Sequence, residues 1–164
     1  MLLCHGTPAS DLTYFMETVT PGFGIDGQRG VRAATAAELS ARAAETPAGD
    51  SRSGLAAALI LCGHTHVQRA MAVPGGPRIV NPGSVGVQAY DDDHPLAHVV
   101  EVGSPLARWA IVERADDGPW RVQLRATPYD WPAAVARAEA NGRGDWADAL
   151  ATGFVGRTLA DLRA

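Results

Sequence analysis

The sequence predicts an α/β (α+β) sheet protein, and three observations support this class. Apolar runs over residues 1–4 and 55–62 each end at a glycine-containing loop, as strands do, and the longer run over 55–62 is typical of a strand covered on both faces. Between them, Thr35 and Glu38 have the spacing of a helix capping box, followed by helix formers up to residue 44. Short strands and then helix signals follow, so we expect strand, helix, strand, antiparallel strands and helices.

The predicted elements before the second apolar run are few. One or two helical turns are expected within residues 11–19, a glycine-rich surface loop over 21–30 and a helix from Thr35 to residue 44. Residues 1–4 and 55–62 are the two predicted strands, and the one over 55–62 is expected to be buried.

Shorter elements are predicted in the rest of the chain. Strands are expected over 67–73, 78–80, 97–102 and 108–113, with a hairpin turn at Asp117-Gly118. In the second hairpin arm Trp120, Val122 and Leu124 alternate with polar residues, which predicts one buried face. Helices are expected from Asp130 to about Asn141, between Asp145 and Gly153, and over 158–162.

Composition narrows the functional classes. The 164 residues suffice for one domain, and 46% hydrophobic with 20% charged residues is the balance of a globular protein. A net charge of −4 argues against nucleic acid or an anionic membrane as partner. No apolar stretch is long enough to span a bilayer. Cys4 and Cys62 make no disulfide framework and lie in apolar runs, so we expect buried thiols and a cytoplasmic protein.

Three of the five histidines share one setting. His5, His64 and His66 each follow an apolar strand at its carboxyl end, where open α/β sheets place their ligand sites. If the two strands are parallel neighbours, the three imidazoles converge, and imidazole is a common metal ligand. Gly6 and Gly63 are expected to leave room beside them for a metal. His94, in an acidic loop, and His98, within a strand, are interpreted as non-ligating.

The motif order resembles a known enzyme superfamily. His5-Gly6-Thr7-Pro8, then Gly63-His64-Thr65-His66, then Asn81-Pro82-Gly83-Ser84-Val85-Gly86 resemble the C-terminal half of calcineurin-like metallophosphoesterases, most closely their small bacterial branch. The resemblance implies a four-layer αββα sandwich whose N-terminal strands are absent here. It also implies two divalent metal ions (Mn, Fe, Zn, Ni or Mg), with His5 and His64 on one ion and His66 on the other. The turn over 81–86 is interpreted as structural.

The function implied by the resemblance is hydrolysis of a phosphate-ester substrate. A phosphatase or phosphodiesterase of this kind works by two-metal activation of a bridging hydroxide. The family's Asp-x-His, metal-bridging Gly-Asp and Gly-Asn-His blocks do not occur ahead of His5, so half the ligands are expected to precede residue 1. The chain alone is therefore expected to be inactive, and no catalytic residue is identified apart from the metal ligands. Within the partial domain of 1–164, residues 1–90 would carry the metal-binding loops and 91–164 the hairpin and C-terminal helices.

Other interpretations of the same residues stay open. The chain could be a non-catalytic remnant or partner-binding module of this fold, or a domain organised by a single structural zinc. Met1 falls inside a predicted strand, which favours a truncated or mis-assigned start over a naturally short protein. Missing strands would expose an apolar sheet edge that invites aggregation or pairing. Substrate, metal identity and oligomeric state are left undetermined by the sequence.

Overall fold

The computed structural model describes residues 1–45, 54–116 and 118–158 and has a mixed α/β architecture, which confirms the predicted class. The strands are β1 (Leu2–Leu3), β2 (Glu17–Val19), β3 (Val31–Ala33), β4 (Leu59–Leu61), β5 (Arg69–Ala72), β6 (Arg78–Asn81), β7 (Ala89–Asp92), β8 (His98–Glu101), β9 (Ala107–Glu113) and β10 (Arg121–Thr127). The helices are α1 (Ala36–Ala43), α2 (Trp131–Ala140) and α3 (Gly144–Thr152), with single 3₁₀ turns at Ile25–Gly27 and Gly54–Ala56.

The main sheet has four strands in the order β1-β4-β6-β5. Strands β1, β4 and β6 are parallel, with Leu2 opposite Ile60 and Ile60 opposite Ile79, and β5 is antiparallel to β6. The two apolar runs of the sequence are therefore parallel neighbours, as predicted, and α1 lies in the connection between them. The remaining strands form two-stranded pairs, β2-β3, β7-β8 and β9-β10.

Helix α1 is held on the main sheet by the apolar side chains that it buries there. Leu39 and Ala43 on its inner face belong to the same core cluster as Phe15, Ile60 and Ile79. The predicted capping box is confirmed, since the Thr35 hydroxyl accepts from the Glu38 amide at 3.2 Å and the Thr35 amide donates to the Glu38 carboxylate at 2.6 Å. The backbone amides of Thr35 and Glu38 thus each have a side-chain acceptor, which fixes where α1 begins.

Two local predictions are wrong. Residues 11–19 form no helical turn, because residues 14–16 are buried in the core and Glu17–Val19 pairs as β2 with β3. The second hairpin arm buries no clean face, since Val122 is half-buried and Leu124 is 39% exposed. The hairpin forms its own two-stranded sheet instead of joining the main one, so alternation there does not signal burial. Strands β2, β3 and β7 were not predicted.

The helices of the C-terminal part agree with the sequence. Asp130 caps α2 by accepting from the Ala133 amide at 3.2 Å, and Pro132 stands in the first turn. Helix α3 ends at Gly153, as predicted, with the left-handed φ of 75° that glycine favours there. The helix predicted over 158–162 and the turn residue Asp117 lie outside the described residues, apart from Thr158. None of the described helices is long and apolar enough to cross a membrane.

The chain divides into two compact units. One unit is made of 1–18, 33–83 and 109–125 and contains the main sheet with α1. The other is made of 19–32, 84–108 and 126–164 and contains the β7-β8 pair with α2 and α3. The functional division expected near residue 90 stays a prediction.

In the second unit, Arg157 links the two helices. It donates from its amide to Asp148 at 2.7 Å and from Nε at 2.9 Å, and its guanidinium also bonds Glu139 on α2. The Arg157 hydrogen bonds hold the pKa of the Asp148 carboxyl below its usual range. A carboxyl with a lowered folded pKa stabilises above its unfolded pKa, and this stabilisation is lost as the pH falls through the folded pKa.

We therefore expect Asp148→Asn to lower the free energy of unfolding by about 1 kcal/mol at pH 7. The difference from wild type should shrink below about pH 4, because there the unfolded wild-type chain binds a proton at Asp148 that the folded carboxyl, with its lowered pKa, does not yet bind. Urea unfolding followed by tryptophan fluorescence at pH 7 and pH 3 measures both values. The exposed Asp93→Asn is the matched control and should change neither. An equal loss at both pH values for Asp148→Asn would contradict the assignment.

Candidate metal centre

The loops after β1 and β4 are held side by side by backbone hydrogen bonds. The Cys4 amide donates to the Leu61 carbonyl at 3.0 Å, and the Gly63 amide donates to the His5 carbonyl at 2.8 Å, so the parallel pairing continues past both strands. As a result, Nε2 of His5 lies 3.1 Å from Nδ1 of His64. The structure thus brings together two of the three histidines, as the parallel arrangement predicts.

Tyr14 forms part of this site, although the sequence did not indicate it. Its ring packs edge-on against the His64 ring, with centroids 4.8 Å apart, and Tyr14 is buried. An aromatic contact of this kind restricts the imidazole orientation. The segment containing Tyr14 was expected to be helical, so no sequence pattern placed its side chain near His64.

The backbone of the histidine loop is strained. His64 and His66 have φ values of 66° and 60°, in the left-handed region that is uncommon for residues other than glycine. Such residues persist where the surrounding structure fixes them, and they are frequent at functional sites. Thr65, between the two histidines, is 1% exposed, and its amide donates to the Gly63 carbonyl at 2.8 Å.

Asn81, at the end of β6, ties this loop to the following turn. Its side-chain amide donates to the Gly63 carbonyl at 2.7 Å and to the Thr65 hydroxyl at 3.1 Å. Its carbonyl oxygen accepts from the Gly83 amide at 2.9 Å. The amide group is thereby engaged at both ends, which agrees with a structural role for the turn that begins at Asn81.

Glu17, in β2, contacts the histidine loop through Thr65, and the sequence did not predict this contact either. One carboxylate oxygen accepts from the Thr65 hydroxyl at 2.8 Å and the other from Nε of Arg69 at 3.0 Å. Burial raises the pKa of the Glu17 carboxyl, and the bonds from Thr65 and Arg69 oppose that rise. Arg42 of α1 donates to the Glu17 backbone carbonyl at 3.0 Å. Because Glu17 lies in a segment that was expected to be helical, the sequence did not indicate its contact with Thr65.

Gly6 has no open space in the direction of its missing side chain, contrary to the expectation. A Cβ at this position would lie 2.5 Å from the carbonyl oxygens of Ser10 and Thr13. The glycine is needed because the chain packs closely on itself, where the Thr7 amide donates to the Ser10 carbonyl at 2.8 Å. At Gly63 the nearest atoms to a Cβ would be 3.7 Å away on His5, which is ordinary contact.

The two cysteines are free, and their thiols hold the proton that a metal-ligating cysteine gives up. Burial, the largest cause, raises the pKa of the Cys4 thiol to about 11, and burial also raises the pKa of the Cys62 thiol. The Cys4 thiol donates to the Gly6 carbonyl at 3.3 Å. Because the thiolate is the ligating form, a raised pKa disfavours metal binding by either thiol. Cys62 is buried and Cys4 is half-buried, and both act as small apolar side chains.

The other two histidines have the settings expected of them. His98 is buried in β8, and its Nδ1 lies 2.7 Å from the Leu96 carbonyl. His94 is exposed. Both belong to the second unit.

The donor set fits part of a metal site. Two imidazole nitrogens that face each other suit one first-row divalent ion. Within 1–45, 54–116 and 118–158, however, no group of three or more His, Cys, Asp or Glu side chains is placed to hold a metal. The pair is therefore an incomplete ligand set, and the role of His66 as a ligand stays a prediction.

The fold is shared with solved structures, among them a metallophosphoesterase. A metallophosphoesterase from Sphaerobacter thermophilus superposes with a TM-score of 0.52 at 19% sequence identity, covering 92% of this chain and 54% of that chain. This chain thus spans about half the length of that structure. At this identity the likeness shows the fold. No family model matches the sequence, and a search of curated proteins found no match.

Proposed function

We propose that this chain is part of a metal-dependent phosphoesterase, a phosphatase or phosphodiesterase acting on a phosphate ester. The observation that carries the proposal is the 3.1 Å separation of the His5 and His64 ring nitrogens at the carboxyl end of two parallel strands. The shared fold and the order of the three motifs support it. On this proposal the chain corresponds to the C-terminal half of a four-layer αββα sandwich, and its free cysteines suit the cytoplasm.

Each site residue has a distinct part in the proposal. His5 and His64 offer nitrogen ligands to one divalent ion and His66 to a second, drawn from Mn, Fe, Zn, Ni or Mg. Bound metals supply positive charge for the phosphoryl transition state and a nucleophile at neutral pH. Tyr14 limits rotation of the His64 ring, and Asn81 holds the loop that carries it. Oxygen ligands must complete the centre, since the described residues bring no carboxylate into a group of three.

Metal binding by single histidine variants tests the proposal. We expect the chain to retain Zn²⁺ or Mn²⁺ in equilibrium dialysis with metal analysis. His5→Ala, His64→Ala and His66→Ala should each weaken that binding at least about tenfold, because each removes one ligand. The exposed His94→Ala is the control and should bind as wild type does. Wild-type affinity in the first two variants would contradict the proposal.

A second candidate is a non-catalytic module of the same fold. The absence of a three-ligand group among the described residues favours it. Because the chain alone is expected to be inactive under both candidates, the separating assay uses a longer form that carries the missing oxygen ligands. Turnover of an aryl phosphate or an aryl phosphodiester by that form supports the phosphoesterase, whereas metal binding without turnover supports the module. A single structural zinc predicts instead that a chelator unfolds the chain, which circular dichroism would detect.

A further inference from the structure

We infer that Glu17 is a positioning residue for the metal centre: through the Thr65 hydroxyl it fixes the backbone that carries His64 and His66. The inference deepens the proposed function and rests on it. Glu17 touches neither histidine in the contacts described above, and acts through the residue between them. A buried carboxylate on strand β2 thereby determines the orientation of the two imidazoles in the loop after β4.

The first support is the direction of the hydrogen bonds. The Thr65 hydroxyl donates to Glu17 at 2.8 Å and accepts from the Asn81 amide at 3.1 Å. A hydroxyl has one proton to donate, so the bond to Glu17 fixes its orientation and leaves its lone pairs to Asn81. Thr65 is held from both sides, at the centre of the His64–His66 segment.

The second support is the rigidity of the far end of the network. Glu17 is 3% exposed, and its other carboxylate oxygen is bonded to Arg69. Arg69 stands opposite Asn81 in the β5-β6 ladder. The residue that bonds Glu17 and the residue that bonds the Thr65 hydroxyl therefore share one register position of the main sheet. Arg42 fixes the Glu17 backbone from α1. Glu17 is therefore anchored by Arg69 of β5 through its carboxylate and by Arg42 of α1 through its backbone carbonyl.

The third support is the need for such an anchor. His64 and His66 both lie in the left-handed region, on either side of Thr65. Strained residues keep their conformation only when neighbouring contacts determine it. An ion pair between Glu17 and Arg69 alone would occupy one carboxylate oxygen and leave the other unpaired in a buried position. The second oxygen is instead directed to the one hydroxyl that lies between the strained residues.

The experiment compares variants of Thr65, where one hydroxyl can be removed with little change of shape. Thr65→Val keeps the branched side chain and removes the hydroxyl, whereas Thr65→Ser keeps the hydroxyl. In the metal-free chain, backbone scalar couplings from NMR report whether His64 and His66 retain positive φ. We expect Thr65→Val to lose that signature and to weaken Zn²⁺ binding about tenfold, and Thr65→Ser to retain both within about threefold.

Variants of the carboxylate complete the test. Glu17→Gln leaves one acceptor oxygen for two donors, so we expect Zn²⁺ binding to weaken roughly threefold to tenfold. Glu101→Gln is the matched control: Glu101 is also largely buried and bonded to an arginine, Arg29 at 2.5 Å, in the other unit. It should leave the φ values of His64 and His66 and the Zn²⁺ affinity unchanged.

The outcomes separate this inference from the proposed function. Folded Thr65→Val with positive φ at both histidines and wild-type Zn²⁺ affinity would overturn the inference. So would failure of Thr65→Ser to restore them. If the wild-type chain binds no Zn²⁺, the proposed function fails, yet the metal-free NMR comparison still decides whether Glu17 and Thr65 fix the loop. If Glu17→Gln does not fold, the Thr65 pair decides alone.

Discussion

Gly6→Ala is expected to lower the free energy of unfolding by about 3 kcal/mol, because the added methyl group overlaps backbone atoms. Its Cβ would lie 2.5 Å from the carbonyl oxygens of Ser10 and Thr13 and 3.0 Å from that of Asp11. A flexible side chain could move away, but these are backbone atoms of a tight loop. The loop must shift, and His5 is the residue next to it.

Gly63→Ala is the matched control for this effect. A Cβ at Gly63 meets its nearest atoms at 3.7 Å, and Gly63 is not among the glycines with positive φ. We therefore expect a change in unfolding free energy below about 1 kcal/mol, as for a surface substitution without a clash. Urea unfolding of both variants gives the comparison, and dialysis against Zn²⁺ should show weaker binding for Gly6→Ala. Equal unfolding free energies of the two variants would contradict the prediction, because they would show that the loop around Gly6 moves at little energetic cost.

Asn81→Asp is expected to destabilise the chain by about 3–5 kcal/mol at pH 7, although the two side chains have the same shape. The substitution keeps the oxygen that accepts from Gly83. It replaces the amide donor with a carboxylate oxygen that faces the Gly63 carbonyl and the Thr65 hydroxyl. Asn81 is 1% exposed, so water does not compensate for the lost donor.

The pH dependence of this variant has a definite sign. Burial opposite two oxygens should raise the pKa of the introduced carboxyl above its unfolded value. A group with a raised folded pKa is stabilising below its unfolded pKa, and that contribution is lost as the pH rises through the folded pKa. The deficit relative to wild type should therefore be smaller at pH 5 than at pH 7 in urea unfolding. Asn141→Asp, at an exposed position, should change stability by less than about 1 kcal/mol at either pH.

The sequence predicted the fold best where the determining pattern is local. The apolar runs of β1 and β4 and the capping box of α1 each lie within a few neighbouring residues. They suffice to predict parallel neighbours and the His5–His64 contact. The Gly153 end of α3 follows from local helix-capping chemistry in the same way.

The rest of the site depends on contacts that are distant in sequence. Glu17 meets Thr65 across 48 positions, and nothing near Glu17 indicates a buried carboxylate. Tyr14 and Glu17 lie in a segment whose local pattern favoured a helix, but burial and pairing with β3 override that preference. The backbone packing at Gly6 is likewise invisible in the sequence, because a glycine can indicate either open space or a close approach.

The left-handed backbone at His64 and His66 restricts which residues can be exchanged there. Asn and Asp adopt positive φ far more readily than β-branched residues do. Asn or Asp at either position would replace a nitrogen donor with an oxygen donor while sparing the loop, whereas Val or Ile would add backbone strain. If the proposed metal site is correct, a directed-evolution library that aims to shift it towards harder cations such as Mg²⁺, which favour oxygen ligands, can restrict these two positions to Asn and Asp.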